Sequence, residues 1–257
     1  MNWNREPEKS RYGSQMIPAF KQLITFLVGW IGFRIFATFM QMIFIFVARA
    51  TGESPNAVLS QFGTSMVINS ICYIGLLIAL TLIINFDLIK LLKSFKQWQS
   101  YLAGVICLVA IFAFNYAYGV TINILKEFKI INIPVSDNAN EASLQSLQDV
   151  YPITCLFIFG IVGPICEELT YRVGLFSLLK RKNRAFAYWI TIAVFALIHF
   201  NFSTNPTTLL NEILNLPYYM FAAFAFSLTY EKFGLAGSLT AHLLNNVVSL
   251  FLVSAIH

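Results

Sequence analysis

Seven stretches of this chain are long and apolar enough, within a few residues, to cross a lipid bilayer: residues 22–48, 62–86, 100–125, 152–179, 185–202, 209–230 and 235–256. A spanning helix needs about 20 mainly apolar residues, and in hydrocarbon a helix satisfies every backbone polar group within itself. The expected fold is therefore all-α, a polytopic membrane helical bundle. It has about seven transmembrane helices, with eight as the upper count, in a single domain with a polar cavity inside the membrane. Composition agrees: 58% of residues are hydrophobic and 11% charged, against about 25% charged in soluble domains. The polar first 21 residues precede an apolar run too long for a signal-peptide core and without a small-x-small cleavage site, so the run reads as an uncleaved first span.

The connections are short except at 126–150, where SDNANEASLQSLQD reads as loop followed by a short amphipathic helix. No internal repeat is visible. The organisation expected is a cytoplasmic segment at 1–21, N-terminal transmembrane helices at 22–125, an extracytoplasmic loop at 126–150 and a polar, motif-bearing membrane region at 151–257. Cys72, Cys107, Cys155 and Cys166 all lie in apolar runs without CxxC or zinc-finger spacing and read as small hydrophobes.

The net charge of +5 resides in alternate loops. Arg5, Lys9, Arg11 and Lys21 precede the first span, Lys90, Lys93 and Lys96 follow the second, Lys180, Arg181, Lys182 and Arg184 follow the fourth, and Lys232 follows the sixth. Together these are twelve of the seventeen Lys and Arg residues. By the positive-inside rule the N-terminus is cytoplasmic and His257 outside. The charge is then a topology signal touching anionic lipid head groups, and nucleic acid is excluded as a partner.

Against this background the polar residues inside spans are conspicuous. Glu167, Glu168 and Arg172 share the fourth, His199 ends the fifth, and His242 and Asn246 stand one turn apart in the seventh. Each buried charge costs a few kcal/mol. Counted from the nearest basic loop at 1.5 Å per residue, Glu167, His199 and His242 lie at depths of roughly 15–22 Å. Polar groups of three helices thus arrive near one level. Glu168 and Arg172 are i,i+4 neighbours able to pair, which leaves Glu167 turned toward another helix. Carboxylates, imidazoles and an amide together can activate water and stabilise an oxyanion. Each residue alone has a plainer reading as an interhelical hydrogen bond or ion pair. Arg34 reads as a snorkelling or paired side chain, Glu212 as interfacial, Pro217 as a kink and Trp98 as an interface anchor.

These residues form three patterns in order: EExxxR at Glu167–Arg172, FxxxH at Phe195–His199 and HxxxN at His242–Asn246. In them the chain resembles the CAAX protease and bacteriocin-processing (Abi) family of intramembrane proteases. The resemblance covers about 80 C-terminal residues; for the N-terminal third it implies only further helices. It implies a conical bundle with the site in a cavity open to the cytoplasm. Glu167 with His199 would activate water, His242 and Asn246 would stabilise the oxyanion, and Glu168 and Arg172 would support geometry and charge balance. No cofactor is required by this reading. A divalent metal stays open, because Glu167, His199 and His242 make the usual zinc count of three protein ligands. The implied substrate is a membrane-associated or lipidated peptide, and the compact chain suggests a bacterial plasma membrane. The alternatives are a non-catalytic regulator or bacteriocin self-immunity protein, acting on partners such as a sensor kinase or a peptide-export system. A transporter is disfavoured because no repeated broken helices appear.

Overall fold

The computed structural model describes residues 17–131, 138–203 and 205–256, excluding the side chains of 252–256. Most of the expected cytoplasmic segment (1–16), part of the expected loop (132–137) and His257 lie outside the described residues.

Each apolar run falls on a helix. Helix α1 spans Ala19–Thr51, α2 Phe62–Lys96, α3 Trp98–Glu127 and α5 Pro152–Lys180; these four are long and apolar enough to cross a membrane. Helix α1 stops at Gly52, whose left-handed φ of 80° is the usual glycine C-cap conformation. Between α3 and α5 lies α4, Ala139–Val150, in the segment whose second half reads as amphipathic. Its N-cap Asn138 accepts a hydrogen bond from the Glu141 backbone N–H at 2.9 Å, satisfying one of the orphan donors of the first turn. Helix α6, Arg184–Ile198, is capped by the Asn183 side chain and ends four residues before the expected boundary at 202.

The last two runs form α7, Pro206–Ile256, whose two arms meet at Gly234 (φ 75°, ψ −170°). The arms run in opposite directions against α3. On the first, Ser100 donates to the Phe233 carbonyl and Tyr118 to the Leu214 carbonyl, an antiparallel register. On the second, a Cβ on Gly104 would lie 2.7 Å from Thr240, so small residues bring these helices into near contact. Pro217 leaves the dihedrals helical, so the expected kink falls at Gly234 instead.

Side-chain distribution is that of a protein solvated by lipid. Phe46, Leu82 and Ile153 are more than 70% exposed, while Glu168, Arg172 and His242 are buried. So much exposed apolar surface would be an aggregation liability in water. The basic loops gather at one end. There Glu231, at the reversal of α7, meets Lys180 at 2.8 Å, Arg184 at 2.9 Å and the Tyr188 hydroxyl at 2.6 Å. Lys21 meets Asp87 at 2.7 Å, and Arg181 donates to Gln22 and to the Ile17 carbonyl. Helix α4 closes the opposite end: Gln148 donates to the Leu250 carbonyl, and Leu147 packs with Met66, Cys155 and Ile158.

Candidate active site

Helix α5 is not wound uniformly. It opens into π-turns at Ile158–Val162 and Glu168–Phe176, a winding common at functional sites. The first has a local cause. Gly163 N–H bonds back five residues to the Ile158 carbonyl, and in that register the next donor, residue 164, would serve Phe159. Pro164 has no N–H. The Asn246 side chain supplies the missing bond, with Nδ2 3.0 Å from the Phe159 carbonyl. The amide keeps a second N–H, and Asn246 lines the cavity beside it.

In the second π-turn Glu168 and Arg172 are wholly buried, 3.1 Å apart. That distance makes an ion pair, but all three guanidinium nitrogens lack a hydrogen bond of good geometry. The cation lies instead against two aromatic faces, 4.5 Å from the Phe195 ring centre and 5.2 Å from that of Phe226. Desolvated contacts of this kind contribute about 2 kcal/mol or more. Glu168 reaches further than its pairing with Arg172: its Oε1 lies 2.8 Å from His242 Nδ1. With Nδ1–H donating to this carboxylate, the ring presents Nε2 to the cavity, 3.6 Å from Glu167 Oε2. Phe226 stacks on the imidazole at 4.4 Å and locks its plane.

His199 sits at the C-cap of α6, stacked on Tyr219 at 4.6 Å. It forms no ion pair among the described residues, so His242 rather than His199 is the imidazole beside Glu167. Its backbone is pinned from α4 and α7. Asn138 donates to the His199 carbonyl at 3.1 Å, and buried Glu212 accepts from the N–H groups of Ala139 at 2.9 Å and Asn201 at 3.1 Å. Glu212, read from sequence as interfacial, thus ties the start of α4 to the end of α6.

Two cavities, of about 430 and 380 Å³, meet along Glu167, His199, Asn246 and Phe159. Glu167, His199, His242 and Asn246 all line the smaller one, so the three patterns converge on one space. The larger extends to α1 and α2 through Trp30, Arg34, Asn69 and Tyr73, none of them in a motif. Both share Asn140 and Leu144 of α4 as a wall, and neither is lined by a residue of the basic loops. Buried Phe176, Ser177 and Tyr230 fill the bundle on that side, with Ser177 Oγ 3.0 Å from the Tyr230 hydroxyl. In the orientation given by loop charge, α4 is on the outer side. The resemblance implies a cytoplasmic opening, and on this structure the two expectations conflict.

Among the described residues no group of three or more His, Cys, Asp or Glu is placed to hold a metal ion. The Glu168 bond takes His242 Nδ1 and leaves Nε2 open beside Glu167, the way a metal-binding histidine is also held.

The fold and site define a polytopic membrane protein with an acid–imidazole–amide cluster enclosed by its helices. Residues 149–248 match the family described as type II CAAX prenyl endopeptidase Rce1-like. The chain is 35% identical over 131 residues to the UPF0177 protein YxdF of Lactococcus lactis subsp. lactis, covering 50% of this chain and 69% of that protein. It is 34% identical over 61 residues to the UPF0177 protein YvdC of the same organism, covering 24% of this chain and 23% of that one. No solved structure matches. The chain belongs to the CAAX protease and bacteriocin-processing family, a family of intramembrane proteases.

Proposed function

We propose that the chain is an intramembrane endopeptidase that hydrolyses a membrane-associated or lipidated peptide with a water molecule activated in the cavity at Glu167. The observation that carries this reading is the convergence of Glu167, His199, His242 and Asn246, from three helices, on one cavity walled by membrane helices. The Glu167 carboxylate takes a proton from water as its oxygen attacks the peptide carbonyl. The same proton then passes to the departing amine as the C–N bond breaks. The second N–H of Asn246 faces the developing oxyanion, where such a donor is worth roughly 10²–10³-fold in rate. Glu168 holds the His242 ring in place through Nδ1, so that Nε2 faces the same oxygen from beside Glu167. His199, held by Tyr219 and the Asn138 clasp, lines the other side of the reacting group.

The test is hydrolysis of lipidated peptides by purified protein in proteoliposomes. Glu167→Gln should lower the rate about 10²–10⁴-fold while leaving the protein monodisperse, because the amide keeps the shape but takes up no proton. If well-folded Glu167→Gln and His242→Ala proteins match wild type in the assay and in cells, the regulatory or immunity reading replaces the peptidase.

A further inference from the structure

Arg34 is a cation in the middle of α1 that has no ion-pair partner among the described residues. It lies 15 residues after Ala19 and 17 before Thr51, so at 1.5 Å per residue each end is more than about 20 Å away. The helix outreaches the roughly 30 Å hydrocarbon core, but a residue at its centre is still about 15 Å from either interface, farther than its side chain can snorkel. Yet it is exposed and makes no ion pair or side-chain hydrogen bond among the described residues; the Trp30 ring stands beside it, 6.0 Å from the guanidinium carbon, and the Tyr171 hydroxyl lies within electrostatic reach. Arg172, the other arginine within a span, has an acid and two aromatic faces. Arg34 lines the larger cavity together with Glu167, although Glu167 is not within ion-pair distance of it. Leaving a cation unpaired at this depth costs a few kcal/mol unless a water-filled cavity and a visiting anion offset it.

We propose that Arg34 is the carboxylate receptor of this cavity. It binds a carboxylate of the peptide substrate, from the C-terminus or an acidic side chain, and so decides which part of the peptide lies on the α1 side of the scissile bond. The inference rests on the peptidase reading and deepens it. The planar guanidinium fork matches a carboxylate in two parallel hydrogen bonds. Lipid phosphates lie at the interface, roughly 15 Å from the midplane. The two cavities join at Glu167, His199 and Asn246, so a peptide anchored at Arg34 crosses the reacting groups. Its other part then enters the space lined by Phe195, Ala222 and Phe226, which suits an apolar or lipid-bearing portion.

The experiment measures binding rather than turnover, with full-length Glu167→Gln protein in lipid nanodiscs. The probes are a dansylated, S-farnesylated tetrapeptide with a free C-terminal carboxylate, the same peptide as its C-terminal amide, and an amide-ended version carrying an aspartate. The acid should bind at least about tenfold more tightly than the amide, as a charge-assisted hydrogen-bonded pair gives. Arg34→Gln should erase the difference, Arg34→Lys should keep part of it, and Arg49→Gln, outside the cavity, should leave it unchanged. Tight binding of the aspartate peptide would assign the carboxylate to a side chain and its absence to the C-terminus. An amide bound as tightly as both carboxylate-bearing probes, or a carboxylate preference that survives Arg34→Gln, overturns the Arg34 assignment, and it does so alone if wild-type protein still hydrolyses the peptides. If none of the three probes binds, the Arg34 assignment fails, and if wild type hydrolyses none of them the peptidase reading fails as well.

Discussion

Replacing Arg172 by methionine should destabilise the protein more than replacing both Arg172 and Glu168 by apolar residues. The single change leaves the Glu168 carboxylate wholly buried, with His242 Nδ1–H and the Ser238 hydroxyl as its remaining close partners. Breaking one half of a buried pair costs about 3–5 kcal/mol, and at roughly 2–4 °C per kcal/mol for a chain of this size the thermal midpoint falls by about 6–20 °C. Glu168→Leu alone should cost a similar amount, because it strands a guanidinium already short of hydrogen bonds, with only Phe195 and Phe226 against it. If the effects were independent, the double variant would lose about 6–10 kcal/mol, which is most of the stability of an ordinary domain. It should instead remain close to wild type. Removing both desolvated charges recovers about 1–4 kcal/mol, while the His242 N–H left without an acceptor costs about 1–3 kcal/mol. Thermal unfolding of the four purified proteins in one detergent, followed by tryptophan fluorescence, closes the cycle. A double variant less stable than both singles would refute this account of the Glu168–Arg172 pair.

Gly29→Ala should lower the midpoint through overpacking of about 1–3 kcal/mol, because its Cβ would run into the Thr170 side chain; unchanged melting would refute so close a crossing of α1 and α5. For Glu231, burial pushes the carboxyl upward, but hydrogen bonds from Lys180, Tyr188 and Arg184 outweigh it and hold the carboxyl below its usual range. Its contribution to stability is therefore fully present above the unfolded value of about 4.3 and is lost as pH falls through the folded one. Glu231→Gln should flatten the acid limb of a melting-temperature profile, and an identical limb would count against the clasp. Finally, if α4 faces outward as the loop charges require, Ser143→Cys in intact cells should react with a membrane-impermeant maleimide and Lys182→Cys should not; the reverse labelling would place the cavity on the cytoplasmic side.

Much of this site was readable because membrane burial makes polar residues expensive. Glu167, His199, His242 and Asn246 stand out among apolar neighbours, and helical rise alone places them near one depth. What stayed hidden depended on winding and on partners distant in sequence. The i,i+4 spacing revealed the Glu168–Arg172 pair but not the Glu168–His242 bond, which spans 74 residues. Glu212 looked interfacial because nothing nearby in sequence signals that it accepts two backbone N–H groups from other segments. Trp30, Asn69 and Tyr73 belong to no motif, so the share of α1 and α2 in the cavity was invisible. The Gly163-Pro164 pair was a usable signal for the freed Phe159 carbonyl, and Gly234 for the reversal of α7.

The π-wound stretch from Glu168 to Phe176 behaves like a stored insertion. It packs nine residues into a rise that a regular helix would cover with fewer, so the surplus is taken up locally and the helix on either side keeps nearly the phase it would have without it. Deleting one residue that lets the stretch relax to ordinary winding would leave Ser177 and Lys180, and with them the Tyr230 contact and the Glu231 clasp, close to their places. The change would fall on the side chains inside the stretch, where Arg172 would no longer stand against Phe195 and Phe226. A deletion here should thus act on the buried ion pair and spare the basic end of the bundle.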